Sequence, residues 1–492
     1  MSRKGEVSTL RRRLIVGGFV IVFAGAGVLN FAVKRHDLAG IEGAQAATSA
    51  VALGSHASSS AWYCPGPLPI GHRGEQSSIE VVNLSVQPVH LQVHIAANSG
   101  LSELHSYALS GLANQTIVLP GSKLATYGAA SVVVEGRGVG VYEVVVTPTG
   151  ITTSPCTTHT ASSAFFGTGS TAGSANMAIS LFNPGATPAV ADVRFIVGAN
   201  SFLPGAFSSV PIEPGQDVVL FAGHALPQRN AMALAVTIVS GRIAVGALHF
   251  KVANQLLTRS IVLGSQVPLG TWWFAPVVVA PSIEQVFSLY NPTAHGERVR
   301  ITLLGDGAEG VSTVFVGAGA NLRYVAPRPS IAGLQAGSVS VAGRGSLIVD
   351  RAIAANRSFS PVAKVRLIQL PAALPTGYAV TAPNVAPAKV WMIGAVRSDS
   401  VASGVVAVAN PGDRPAEVAF EEIARGGSIP IPGVGSILVA ARSIVSIDLS
   451  RHLNNMVSLG IVIHATRAVV AGMTEFGRSR SGLSAPAALP VR

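Results

Sequence analysis

The sequence predicts an all-β chain, about four tandem immunoglobulin-like β-sandwich domains after one N-terminal transmembrane helix, and three observations predict it. Only 12% of the 492 residues are charged while 53 are glycine, a balance that suits short strands and tight turns better than long, ion-paired helices. An apolar run, Asn-Pro and a short polar loop are written three times: "SLFNPGATPA" from Ser180, "SLYNPTAHGE" from Ser288 and "AVANPGDRPA" from Ala407. Beyond each Asn, apolar and polar residues alternate in a fixed phase.

The three Asn residues, Asn183, Asn291 and Asn410, lie 108 and 119 residues apart. A fourth copy, "EVVNLSVQPVHLQVHI", places Asn83 in the same context without its proline. Positions eight, ten and twelve after each Asn are Leu91, Val93, Ile95; Ala191, Val193, Phe195; Val299, Ile301, Leu303; and Val418, Phe420, Glu422. Eleven of these twelve are apolar, and the positions between them are nearly all polar. Period two held in register with one residue in four places is the pattern of a strand with one buried face, and a helix would not keep it. Proline ends the preceding strand because it has no amide hydrogen for the ladder and a fixed φ. Asn supplies a side-chain acceptor for the turn. Glu421 and Glu422 should point to opposite faces, and Glu422 breaks the apolar rule, so a strand end or bulge is expected there.

Other landmarks recur in order. An aromatic opens each unit, at Trp62, Phe165, Trp273 and Trp391, and an Arg flanked by apolar runs follows later, at Arg137, Arg242, Arg344 and Arg467. Each Arg is expected at the tip of a closing hairpin. Units of this length with several short strands point to successive sandwiches, at residues 61–151, 164–265, 271–369 and 389–479. Thr152–Ser163 and Leu370–Lys389 read as linkers, and 480–492 as a disordered tail.

Residues 14–33 are apolar and uncharged, long enough at about 1.5 Å per helical residue to cross a hydrocarbon core of about 30 Å. Five basic residues precede the run and two follow it. This bias predicts a cytoplasmic tail at 1–13, a single membrane pass, and an extracytoplasmic remainder beginning with a flexible Ala/Ser/Gly-rich stalk at 34–60. The alternative is secretion after cleavage at Ala44-Gln45-Ala46. The net charge is +11, but Arg3, Lys4, Arg11, Arg12, Arg13, Lys34 and Arg35 against Glu6 account for six of it. The remainder is spread thinly, without a basic patch, which argues against a nucleic-acid partner.

The only two cysteines, Cys64 and Cys156, bracket the first unit. In an oxidising compartment a bridge between them is expected, closing a loop worth about 4 to 5 kcal/mol in the chain-entropy model. No Walker, H-E-x-x-H, EF-hand or G-x-S-x-G sequence occurs. Gly305 to Gly310 fits G-x-G-x-x-G, but "VSTVFV" follows it, so it reads as a hairpin loop, not a phosphate cradle. His90 and His94 alternate with the core positions Leu91, Val93 and Ile95 and read as a solvated face, not as zinc ligands. No catalytic residue, metal or cofactor is therefore expected. Candidate surface-binding residues are Arg137, Arg242, Arg344 and Arg467, which could meet anionic polymer or headgroups, and Trp272. Of the adjacent Trp272 and Trp273, one should be core while the other could stack on a sugar or a neighbouring domain.

The aromatic start, the Asn-Pro turn, the alternating strand and a last run such as "VVAGMTEF" or "IAVGALHF" resemble the repeats of an uncharacterised actinobacterial family of exported, membrane-anchored proteins. The resemblance covers residues 61–478. Asn83 without proline and "VDRAIAANR" at the end of the third unit depart from it. The resemblance transfers no activity. The expected function is a non-catalytic structural or adhesive scaffold of the cell envelope, anchored through residues 14–33. The alternative is a binding protein for wall polysaccharide or peptidoglycan, with a wall polymer or another envelope protein as partner; an envelope enzyme ranks third.

Overall fold

The computed structural model describes residues 59–491 except 73, 101, 122–125, 149, 254–255, 306–308, 344, 356–376, 382, 385, 425–426, 454–455, 478–481 and 487. The expected cytoplasmic tail, membrane helix and nearly all of the stalk lie outside the described residues, as do Arg344 and the centre of the Gly305–Gly310 loop. Among the described residues no helix is long and apolar enough to cross a membrane.

The fold is all-β. The first eight strands are β1 (Ser59–Pro69), β2 (Gln76–Asn83), β3 (Val89–Ala97), β4 (Ser102–Leu109), β5 (Ala113–Val118), β6 (Tyr127–Glu135), β7 (Val139–Thr147) and β8 (Gly150–Pro155). They form two antiparallel sheets, ordered β1-β6-β3-β4 and β5-β2-β7-β8. Their facing side chains, among them Trp62, Ile79, Val93, Val132 and Val141, share one core. Immunoglobulin order would put the first strand beside the second and the seventh with the third and sixth. Here those two strands have exchanged sheets.

The same order recurs. The second module has β9 (Ser163–Phe166), β10 (Asn176–Phe182), β11 (Ala189–Val197), β12 (Asn200–Phe202), β13 (Val210–Ile212), β14 (Asp217–Phe221), β15 (Ala233–Ser240), β16 (Ala244–Ala253) and β17 (Leu256–Leu263), in sheets β12-β11-β15-β9 and β14-β10-β16-β17. The third has β18 (Thr271–Val279), β19 (Ile283–Tyr290), β20 (Glu297–Leu304), β21 (Glu309–Val316), β22 (Asn321–Val325), β23 (Gly333–Val341), β24 (Ile348–Ala355) and β25 (Gly377–Thr381), in sheets β18-β23-β20-β21 and β22-β19-β24-β25. The fourth has β26 (Ala388–Ser398), β27 (Ala402–Asn410), β28 (Ala416–Ala424), β29 (Gly427–Pro430), β30 (Ile437–Val439), β31 (Ser443–Asp448), β32 (Met456–Gly477), β33 (Leu483–Ser484) and β34 (Leu489–Pro490). In it β32 fuses the sixth and seventh strands, pairing with β26 and β28 along its first half and with β27 along its second.

The alternating segments are β3, β11, β20 and β28, and their inward positions are buried. The four Asn residues are buried and bond alike. Each Oδ1 accepts the N–H two residues on, from Ser85, Gly185, Thr293 or Gly412, at 2.9–3.0 Å. Each Nδ2 donates to the carbonyl four residues on, of Gln87, Thr187, His295 or Arg414. It also donates to Ser110, Ile212, Val316 or Val439, at or just past the end of an outer strand of the other sheet. The Asn thus ties the turn and both sheets together, and Leu84 can replace the proline because these bonds come from the Asn; the Leu84 N–H adds one to the Gly138 carbonyl at 2.8 Å.

Several sequence expectations need correction. Trp62, Trp272 and Trp391 face the equivalent cross-strand residues Val132, Val339 and Ile463, so Trp272 occupies the core position and is 1% exposed. Its indole N–H donates to the Leu347 carbonyl at 2.8 Å. In a period-two strand a one-residue shift of the landmark reverses the face, and Trp273 is the half-buried neighbour. Arg137 and Arg242 lie between strands of different sheets, at corners instead of hairpin tips, and Arg467 lies within β32. The register of β28 runs unbroken through Glu422, which stays buried without a bulge. The supposed linker Thr152–Ser163 holds the last four residues of β8, and Leu370–Lys389 contains β25. Within the tail, Leu483, Ala485, Ala488 and Leu489 are buried, because this segment is apolar and pairs with β32 and β26.

The modules close on one another. β1 packs on β16, β17 on β25, β18 on β27 and β32, and β26 on β7. The innermost strands β8, β17, β25 and β33 meet in cyclic order. Thr152 Oγ1 accepts the Ile261 N–H at 3.3 Å, and Ser260 exchanges bonds with both backbone groups of Val380. The polar residues of "TTSP" are therefore buried at the centre, with Thr152 bonded across modules, which explains why that stretch read as a linker.

Candidate functional site

Each junction is built at one strand position. The residues paired with the position three before each Asn are Tyr142, Gly246, Asp350 and Gly472. Each faces an irregular segment in or just after the first strand of the neighbouring module, at Gly394, Gly66, Gly167 or Ala275. A Cβ on Gly246 would fall on the Gly66 carbonyl oxygen, and one on Gly472 on the Ala275 Cβ. At the other two junctions the side chain bonds instead. Tyr142 donates from its hydroxyl to the Met392 carbonyl at 2.8 Å. Asp350 Oδ2 accepts from the Gly167 and Thr168 N–H groups at 2.6 and 3.1 Å.

The junctions hold several buried charged groups. Burial pushes Glu143 up to about 8, opposed by the Gly66 N–H it accepts at 3.0 Å and reinforced by nearby Asp217. Asp217 also rises to about 8 through burial, opposed by the Ser180 hydroxyl. Burial lifts Asp350 to about 7 and Glu475 to about 8. Arg351, 1% exposed, is lowered to about 9 by burial; its guanidinium bonds to the Ala275 carbonyl at 2.8 Å and lies over the Phe274 ring. The charged pair in "VDRAIAANR" that interrupted the expected apolar run is therefore junction machinery.

Beside Asp350, between the second and third modules, lies a cleft of about 410 Å³. Its walls come from the loop after β9, from β16, and from β19, β22, β24 and β25. Polar lining comes from Thr168, Ser170, Asn176, Asn230, His249, Lys251, Ser288 and Arg323. Phe250 and Tyr378 add aromatic rings. Lys251 Nζ sits 5.3 Å from the Tyr378 ring centre, while Arg323 pairs with Glu284, which Arg328 also contacts at 3.1 Å. His249 is 2% exposed, burial lowers it to about 4, and its Nε2 has no hydrogen-bond partner. Asn176 spends its Oδ1 on the Met177 and Gly223 N–H groups, so only its amide donors are left to offer. Asp350 Oδ2 is committed to backbone, and among the described residues no Ser–His–Asp relay is hydrogen-bonded here. The arrangement suits recognition of a small polar ligand.

The residues proposed from sequence lie elsewhere. Arg137, Arg242 and Arg467 are exposed, and Arg242 bonds to Thr160. None of them, nor Trp272, lines the cleft. Trp273 lines a smaller cavity of about 220 Å³ between the third and fourth modules, with Arg442 and Glu309 paired at its edge. Cys64 and Cys156 form a disulfide with Cα atoms 4.6 Å apart. His90 is exposed and His94 bonds to Ser102 at 2.6 Å. Sequence reasoning missed His249, Lys251 and Tyr378, because they share no local motif and meet only when two modules pack.

Residues 265–482, spanning most of the third and fourth modules, match a family of unknown function, DUF5719. No curated protein matches the sequence. Among solved structures, that of Thermotoga maritima 1070 is similar at 15% identity over 20% of this chain and 94% of its own, with a TM-score of 0.18. A tetra-tandem repeat in the extending region of a large adhesion protein is similar at 11% identity over 83% of this chain and 94% of its own, with a TM-score of 0.09.

Proposed function

We propose that the chain is a non-catalytic structural scaffold of the cell envelope, held at the membrane by residues 14–33 and exposed outside the cytoplasm. In this reading its modules descend from an immunoglobulin-type sandwich by exchange of two edge strands, within an actinobacterial exported family. The supporting observation is the cyclic packing of four modules through buried junctions, where much of the apolar surface meets the chain itself. A rigid body of this kind suits spacing and presentation. Its partner would be another envelope protein or a wall polymer, with no cofactor and no nucleic acid.

The test is covalent capture in intact cells carrying the full chain with a tag after Arg492, using a membrane-impermeant crosslinker. Recovery of envelope proteins or wall material is expected. A chain that the crosslinker cannot reach, found in the cytoplasmic fraction, would end this reading. The second reading, binding of wall polysaccharide, is favoured by the cleft between the second and third modules.

A further inference from the structure

We propose that this cleft is a binding site for a carboxylate-bearing sugar unit. The inference deepens the second reading and does not depend on the scaffold role.

Charge is the first argument. Lys251 has no ion pair among the described residues, and its ammonium rests over Tyr378. Across the cleft Glu284 is already shared between Arg323 and Arg328. Glu284 is thus held by two guanidinium groups and Asp350, beside the cleft, by the Gly167 and Thr168 N–H groups, so a ligand anion would be attracted to Lys251. An amine beside a ring keeps its charge and retains donors that can turn toward an incoming carboxylate.

His249 supplies the second argument. A buried imidazole nitrogen without a partner carries a desolvation cost, and such groups are rare unless something satisfies them. Neutral at physiological pH, it offers a hydrogen bond and not a charge, which matches a sugar hydroxyl. Asn176 presents a further amide donor, while Tyr378, with Val286 and Ala352, supplies the apolar and aromatic wall on which a pyranose face can lie. The volume falls within the range of about 300–1,000 Å³ usual for small-ligand sites.

The experiment is ligand-observed NMR and calorimetry on the full chain with glucuronate, N-acetylmuramate, glucose and acetate as probes. Either acidic sugar should bind at least about tenfold more tightly than glucose or acetate, a difference of about 1.4 kcal/mol. Lys251→Met, at a half-buried position where folding is checked by an unchanged thermal melt, should remove that preference. Arg242→Met, outside the cleft, should leave it intact. Equal binding of acetate would show that the ring is not read. Absence of binding by both acidic sugars, or full retention in Lys251→Met, would overturn the assignment.

Discussion

Where the first module meets the second, and the third meets the fourth, the junction position is glycine; where the second meets the third and the fourth meets the first, it is Asp350 and Tyr142. The next residue along the same strand differs in a complementary way. Glu143 and Arg351 reach back to their own module's irregular segment, bonding to the Gly66 N–H and the Ala275 carbonyl. Ala247 and Met473 hold that position in the other two modules. At these two positions, among the described residues, each irregular segment thus takes its side-chain bond from its own module in modules one and three and from its neighbour in modules two and four. Odd modules carry both polar residues, as Tyr142-Glu143 and Asp350-Arg351, and even modules carry the small and apolar ones. The structural repeat has one module, but the junction chemistry repeats every two.

The glycine junctions should break hardest. In Gly246→Val the new side chain meets backbone that cannot turn aside, so a loss of about 3 kcal/mol or more is expected, toward the upper end for overpacking. Gly472→Val should cost somewhat less because it meets the Ala275 methyl. Urea unfolding of the full chain measures both, and a wild-type midpoint for Gly246→Val would mean that the first junction is not closed. At a polar junction, Asp350→Ala leaves two buried N–H groups without their acceptor, and a loss of about 2 to 3 kcal/mol is expected after relief of the carboxyl's own burial cost. Asp350→Asn, which keeps an acceptor, should recover about half. Equal losses for the two variants would show that shape and not hydrogen bonding holds that junction.

How much of this was legible follows from which forces are local. The phase of Leu91, Val93 and Ile95 and of their counterparts is set by burial on one face, a period-two signal carried by adjacent residues. The Asn turn was visible as an acceptor, but its amide donations reach outer-strand carbonyls some 25 to 29 residues on, at Ser110, Ile212, Val316 and Val439. Residues that work between modules were misread because their partners lie far away in sequence. Thr152 and Thr153 resembled a linker, Asp350-Arg351 a defective strand, and Leu489 part of a disordered tail, although it packs against Gly140. The cleft was not legible, since His249 and Tyr378 are 129 positions apart and His249 stood only as one residue of the strand pattern "IAVGALHF".

The first junction adds a pH test. Glu143 and Asp217, each near 8 when folded, keep protons that the unfolded chain releases in the ordinary carboxylate range. The folded state therefore binds more protons between about pH 4 and 8, so their contribution is fullest below that window and is lost as pH rises through it. His249, lowered to about 4, acts oppositely below about 6.5, which makes pH 6.5 to 8.5 the cleaner range. Asp350 and Glu475 add in the same direction as the pair. A fall of about 2 kcal/mol for each group near 8 is expected across that range, and the double variant Glu143→Gln with Asp217→Asn should flatten part of it. An unchanged slope would remove the pair from the account.

The smallest expected effect gives the sharpest contrast between junction types. Tyr142→Phe keeps the ring that fills the space before Gly394 and deletes only the hydroxyl bonded to Met392. If the fourth-to-first junction is held mainly by shape, the cost is that of one buried hydrogen bond, about 1 kcal/mol. The Met392 carbonyl is left with one fewer donor, but the ring still excludes water. Tyr142→Gly would copy the glycine junctions in sequence while leaving an unfilled volume, because the chain at Gly394 is placed to meet a ring and not a backbone. It should cost several times as much, about 3 to 5 kcal/mol by analogy with large aromatic truncations. A Tyr142→Gly variant as stable as Tyr142→Phe would mean that the backbones can close the gap, and the distinction between the two kinds of junction would disappear.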